Sequence, residues 1–242
     1  MLLTPSNHGY LIPAIGDIYV DCAEKLSSTI KQWHPDANIT ILKKEMLPYG
    51  DKGGFANDWQ CYEASPYEYT IKLEADMWCA SPIDHWWDLF VNREIVISQG
   101  CRDFYDQDGK ARNYRKIFDN NNLPDVYNAI TYWKKSDTAQ EFFQLVRNIF
   151  ENWSKYKTLL QYPDDAATTD VVYAIAAVIM GPEQVTMPYG PTIVHMKKHM
   201  IPILLEDWSK ELVYEHTNPG LRINTVAQWG LVHYHIKELT NE

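Results

Sequence analysis

Between residues 9 and 42 the chain reads strand, helix, strand, and no other stretch restricts its fold as tightly. GYLIPAIG (9–16) is an apolar run closed by a glycine, the pattern of a buried strand. Asp17 stands where a helix N-cap belongs, and Tyr19, Ala23, Leu26, Ile30 and Trp33 follow at spacings of four and three, tracing one helical face. HPDAN ends that helix and NITIL (38–42) is the next strand. Strands joined through a helix lie parallel, so the expected architecture is α/β, with a mostly parallel, Rossmann-like central sheet flanked by helices.

The rest of the sequence fits that plan. PYGDKGGFAND (48–58) is a glycine-rich loop, expected to be mobile. YTIKL (69–73), REIVIS (93–98) and DVYNAITYW (125–133) are further strands. A helix follows KKSD, with Ala139, Phe142, Phe143, Val146, Phe150 and Trp153 on its face. Another follows DDAATTD, with Val171, Val172, Ile175, Val178 and Ile179, and stops at Gly181-Pro182. Beyond Pro188 the pattern breaks into short strands, and the two that flank NPG predict a C-terminal β-hairpin. With neither repeat nor linker, residues 1–242 are expected to form a single domain.

A formal net charge of -10 repels nucleic acid over most of a surface. Any nucleic-acid contact must therefore be local, and KARNYRK, with Lys110, Arg112, Arg115 and Lys116 around Tyr114, is the one dense basic stretch. Cys22, Cys61, Cys79 and Cys101 are too far apart for a zinc knuckle or a CxxC redox pair, and are expected to be reduced and buried. The absence of an 18-residue apolar run and of a signal-peptide pattern predicts a soluble, cytoplasmic protein with no membrane partner.

The strand YTIKL runs into Glu74-Ala75-Asp76. Alternation points both carboxylates the same way, at the strand's carboxyl end, where parallel sheets collect ligands. Two clustered acids are costly without a cation, and a hard divalent ion, Mg²⁺ or Mn²⁺, suits oxygen ligands. The plain alternative is a solvated strand end whose acids cap the next helix; Asp84, before paired Trp86 and Trp87, resembles such a cap.

KLEADMWCASPIDHWWDLF resembles the D-x-D strand end and following stretch of the GT-A fold glycosyltransferases, especially the glycogenin-like and galactosyltransferase-like group and its bacteriophage-encoded members. VYNAITYWKKS is similar to the family's (F/Y)NAGLMYFKKS, and YPDDAATTDVVYAIA resembles the stretch holding its DQ acid; Glu74 for the first Asp, Ile130 for glycine and Ala166 for glutamine depart from the family pattern. The resemblance implies a cytoplasmic enzyme, in a host cell if phage-encoded, transferring sugar from a nucleotide-diphosphate sugar (UDP-sugar foremost) to an acceptor such as a saccharide, a protein or a modified DNA base. It further implies that Tyr10, Ile12, Ala14 and Tyr19 receive the nucleotide, and that Glu74, Ala75, Asp76, Asn128 and Ala129 line the donor site. Asp165, ahead of Asp170, would serve the sugar or act as base. His233, with His195 as the alternative, would complete the metal ligands, and Lys237 or Lys197 would meet the diphosphate. A GT-A scaffold that binds without catalysing transfer and a nucleotidyltransferase are the competing readings.

Overall fold

The computed structural model describes residues 7–109, 116–187, 193–195 and 212–234. β1 (His8–Pro13), α1 (Asp17–Trp33) and β2 (Ile39–Leu42) realise the opening unit, and β1 and β2 pair in parallel with Tyr10 opposite Ile39. Asp17 lies inside the first turn, and Gly16 takes the cap position at φ 109°, a backbone that side-chain-bearing residues rarely adopt. Tyr19 is 41% exposed, so the buried face of α1 runs through Cys22, Ala23, Leu26 and Ile30 without it.

A 3₁₀ turn (Gly54–Gln60) and the short α2 (Cys61–Ala64) lead to β3 (Tyr69–Leu73) and β4 (Met77–Cys79). Loop 48–58, expected to be mobile, is pinned from within. Lys52 N–H donates to Asn57 Oδ1 at 2.7 Å, Asn57 Nδ2 to Asp51 Oδ1 at 2.7 Å, and Gln60 Nε2 to the Gly50 carbonyl at 2.9 Å. Buried amides have satisfied what the glycines leave open.

The chain continues through α3 (His85–Phe90), β5 (Ile95–Gln99), β6 (Cys101–Arg102), β7 (Asp108–Gly109), α4 (Lys116–Asn120) and β8 (Val126–Lys134). Asp84 precedes α3 but makes no side-chain capping bond, while Trp86 and Trp87 pack inward. Among the described residues the central sheet has the order β2-β1-β3-β8-β5, and β8 runs against the other strands. The sheet is mainly parallel, as expected.

α5 (Asp137–Glu151) starts at Ser136, whose hydroxyl accepts the Ala139 N–H at 3.3 Å. It ends sooner than its apolar pattern implies, and Trp153 opens a separate α6 (Trp153–Leu160). α7 (Thr169–Met180) is buried on all sides from Thr169 to Ala177. Val178 and Ile179, assigned to the buried face by sequence, are about half exposed, at 47% and 53%, because no single stripe faces the core in a helix sunk this deeply. α8 (Pro182–Val185) follows.

The remaining strands are β9 (Val194–His195), β10 (Tyr214–His216), β11 (Leu221–Ile223), β12 (Val226–Ala227) and β13 (Leu231–His233). β10 and β11 form the expected hairpin. A second sheet, ordered β4-β13-β9-β6-β7 among the described residues, matters most for the site. It sets His233 opposite Met77 and His195 opposite His233. All four cysteines are buried and none is in a disulfide. No described helix is long and apolar enough to cross a membrane.

Candidate functional site

The acid triplet is the hinge between the two sheets. Glu74 N–H donates to the Ala129 carbonyl of β8 at 3.3 Å, and the Asp76 carbonyl accepts the Tyr234 N–H, just past β13, at 3.1 Å. Fixing the backbone at both ends holds the two carboxylates on the same side, as alternation requires.

His233 meets both acids. Its Nε2 lies 3.1 Å from Asp76 Oδ1 and its Nδ1 lies 3.3 Å from Glu74 Oε2. Glu74, Asp76 and His233 each offer a ligand atom within 4.8 Å of the others. Burial pushes the Glu74 carboxyl up to about 7; Asp76 and Asp170 push the same way, against the pull of His233 and Lys72. Glu74 Oε2 is a buried oxygen that makes no hydrogen bond. Two carboxylates and an imidazole, one oxygen lacking a donor, suit Mn²⁺ or Mg²⁺.

His195 belongs to the layer behind. The Tyr127 hydroxyl, from β8, is hydrogen-bonded to Nδ1 of both His195 and His233. A phenol has one proton to give, so it donates to one ring and accepts from the other. With Nε2–H donating to the Asp76 carboxylate, His233 Nδ1 accepts from Tyr127, which accepts from His195; a metal taking Nε2 would reverse both bonds, Nδ1–H donating to Tyr127 and Tyr127 to His195. One hydroxyl thereby links the tautomers of both histidines.

These groups open on a cleft of about 550 Å³, whose lining also includes Ala75, Asp170 and the apolar group Pro13, Ile15, Tyr19, Leu42, Leu47 and Phe55. Tyr19 and Phe55 are 41% and 56% exposed, leaving aromatic faces available to a ligand. Asp170, in the first turn of α7, accepts the Asn128 main-chain N–H at 2.8 Å.

Other residues singled out by sequence lie elsewhere. Tyr10, Ile12 and Ala14 face the opposite core, against α1 and Trp87; alternation along β1 gives the cleft Pro13 and Ile15 instead. Asp165 is fully exposed, paired with Lys157 and away from the cleft lining. Its exposure leaves Asp170 as the acid that α7 brings to the cleft. Asn128 is buried; its Nδ2 donates to Asp58 Oδ2 at 3.2 Å and its Oδ1 accepts from Thr131 at 2.5 Å. Ala129 and Ile130 are core residues, away from the cleft lining. Lys197, Lys237, Lys110, Arg112 and Arg115 lie outside the described residues, and Lys116 is exposed on α4.

Asp58, Lys72, Tyr127 and Tyr173 went unread in the sequence. Lys72 is 1% exposed and donates to Asp58 Oδ1 at 2.7 Å and Oδ2 at 2.9 Å. The Tyr173 hydroxyl also donates to Asp58. Burial pulls the Lys72 ammonium down, but Asp58 overrides it and leaves the group above an ordinary lysine. The signal for Lys72 is its place in β3, two positions before Glu74, whose cleft it shares. Nothing local marks Asp58, whose partners are distant in sequence.

No protein-family model matches the chain, and no curated protein matches its sequence. Solved structures do match in fold. A glycosyltransferase involved in the glycosylation of the major capsid of PBCV-1 superposes with a TM-score of 0.52 at 14% identity, over 97% of each chain. Apo mouse xyloside xylosyltransferase 1 gives 0.50 at 8% identity, over 95% of this chain and 98% of that one. Galactosyltransferase LgtC, solved with donor and acceptor sugar analogs, gives 0.51 at 10% identity, over 94% and 87%. The shared feature is the GT-A fold: a mainly parallel sheet flanked by helices.

Proposed function

We propose that this chain transfers a sugar from a nucleotide-diphosphate sugar, with Mn²⁺ or Mg²⁺ held by Glu74, Asp76 and His233. The observation that carries the reading is the meeting of these three side chains at the carboxyl end of β3, beside a cleft in a GT-A fold. When bound, the ion supplies a Lewis acid for the charge on the departing diphosphate.

The chain's own residues do the rest. Tyr127 orients His233, and the exposed rings of Tyr19 and Phe55 offer a face to the base, uridine being the nucleoside of first choice. Asp170 is the cleft carboxylate able to take a proton from an acceptor hydroxyl if transfer inverts the sugar. The acids also repel a bare diphosphate, which makes the reading metal-dependent by simple electrostatics.

The test is thermal stabilisation and donor hydrolysis across UDP- and GDP-sugars, with and without Mn²⁺. Stabilisation that requires both metal and sugar nucleotide, with slow release of the nucleoside diphosphate, is expected. A response to nucleoside triphosphates alone points to nucleotidyl transfer instead. Binding with no hydrolysis and no transfer to any acceptor leaves a binding scaffold, and no response at all overturns the proposal.

A further inference from the structure

Lys72 is a buried cation in the lining of the cleft, and a structural ion pair alone is a costly reason to place one there. Asp58 Oδ2 already receives Lys72, the Tyr173 hydroxyl and Asn128 Nδ2, so the carboxylate is committed to holding the ammonium in place. An ammonium has three N–H donors. Asp58 is its only hydrogen-bond acceptor among the described residues, and it takes at most two of them. A donor is left over on a side chain that lines the cleft, with the Tyr173 ring 5.3 Å from the ammonium as its other neighbour. Glu74 and Asp76 follow Lys72 two and four residues on, past the end of β3, and line the same cleft, so a substrate whose diphosphate lies at the acids must extend past Lys72 or away from it.

Building on the glycosyl-transfer reading, we infer that Lys72 is a substrate-contacting residue that donates a charge-assisted hydrogen bond to a hydroxyl of the transferred sugar, with Asp58 as its positioning residue. The nucleoside and diphosphate do not depend on it. Asp58, on the 3₁₀ turn, is itself held by Tyr173 of α7 and Asn128 of β8, so the carboxylate that carries the ammonium is fixed and the ammonium loses little freedom when a hydroxyl arrives. The contact selects a sugar with an acceptor oxygen at one position and rejects one without it, because the donor would otherwise remain buried and unpaired.

Calorimetry with Mg²⁺ compares UDP against UDP-glucose, UDP-galactose and UDP-xylose, in wild type and in the paired variant Lys72→Met with Asp58→Asn. The double change removes both charges together and avoids a stranded buried anion. UDP affinity is expected to stay within about threefold, while affinity for the preferred UDP-sugar falls by about tenfold to a hundredfold, as befits a hydrogen bond to a charged group. Should the variant fail to fold, ¹⁵N-lysine labelling of the wild type supplies the answer. The Lys72 ammonium resonance should move on adding UDP-sugar with Mg²⁺ and stay put with UDP and Mg²⁺. Parallel losses for UDP and UDP-sugar, no loss for either, or a resonance equally sensitive to both ligands overturns the assignment of Lys72 alone. A wild type that binds UDP but no UDP-sugar overturns the glycosyl-transfer reading, and this inference with it.

Discussion

Glu74 is the residue at which stability and the proposed metal site disagree. Its folded pKa of about 7 lies above the ordinary 4.5, so ionising it costs the metal-free fold. The sign follows: below about pH 4.5 the group is protonated in both states and costs nothing. The penalty grows as pH rises toward 7 and is full above it. Glu74→Gln is therefore expected to raise the melting temperature in EDTA at pH 8 by several degrees, roughly 1–3 kcal/mol, and to change little at pH 4. Melting curves at the two pH values check this; a variant no more stable at pH 8 contradicts the strained-acid account. Asp76→Ala is expected to keep the fold and lose metal-dependent UDP binding, read by calorimetry with and without Mn²⁺. Unchanged metal-dependent affinity would remove Asp76 from the ligand set.

At the scale of elements, the site is built where three strands and a loop converge. β8 supplies Tyr127, and Tyr127→Phe deletes the hydroxyl that links His233 to His195. Mn²⁺ affinity is expected to fall about tenfold to a hundredfold, the usual cost of losing a hydrogen bond behind a metal ligand. A titration of the metal alone measures it. Loop 48–58 depends on Asn57, which is 4% exposed and bonded to Asp51, Lys52 and Gly54. Asn57→Ala should loosen the loop that presents Phe55 and Asp58, speeding limited proteolysis between residues 50 and 56 and weakening nucleotide-sugar binding severalfold. β1, α1, β2 and β3 were legible because their periodicities are local, and β3 matched its expected bounds of 69–73. The choice of face on β1 was not, since alternation leaves two faces and only the sheet's partners decide which one meets the cleft. Asp165 and Asp170 show the same limit: both precede or open α7, and burial, which a sequence does not print, separates them.

For the whole molecule, charge and topology set the terms. A net charge of -10 leaves Lys110, Arg112, Arg115 and Lys116 as the place where DNA could be held, if a DNA base is the acceptor. Neutralising Arg112, Arg115 and Lys116 should then flatten the slope of log affinity against log salt by about 3 and leave donor hydrolysis intact. Filter binding to plain and hydroxymethylated duplexes decides it, and wild-type protein with no salt-sensitive binding excludes DNA as the acceptor. The pairing of His233 with Asp76 spans 157 residues of sequence. On a ribosome adding about 5–20 residues per second, roughly eight to thirty seconds separate the synthesis of the acids from that of their histidine. Throughout that interval the nascent chain carries two carboxylates with no third ligand, and the strand that will deliver it has not been made. The activity proposed above therefore waits on the strand that brings His233, made long after the acids it joins.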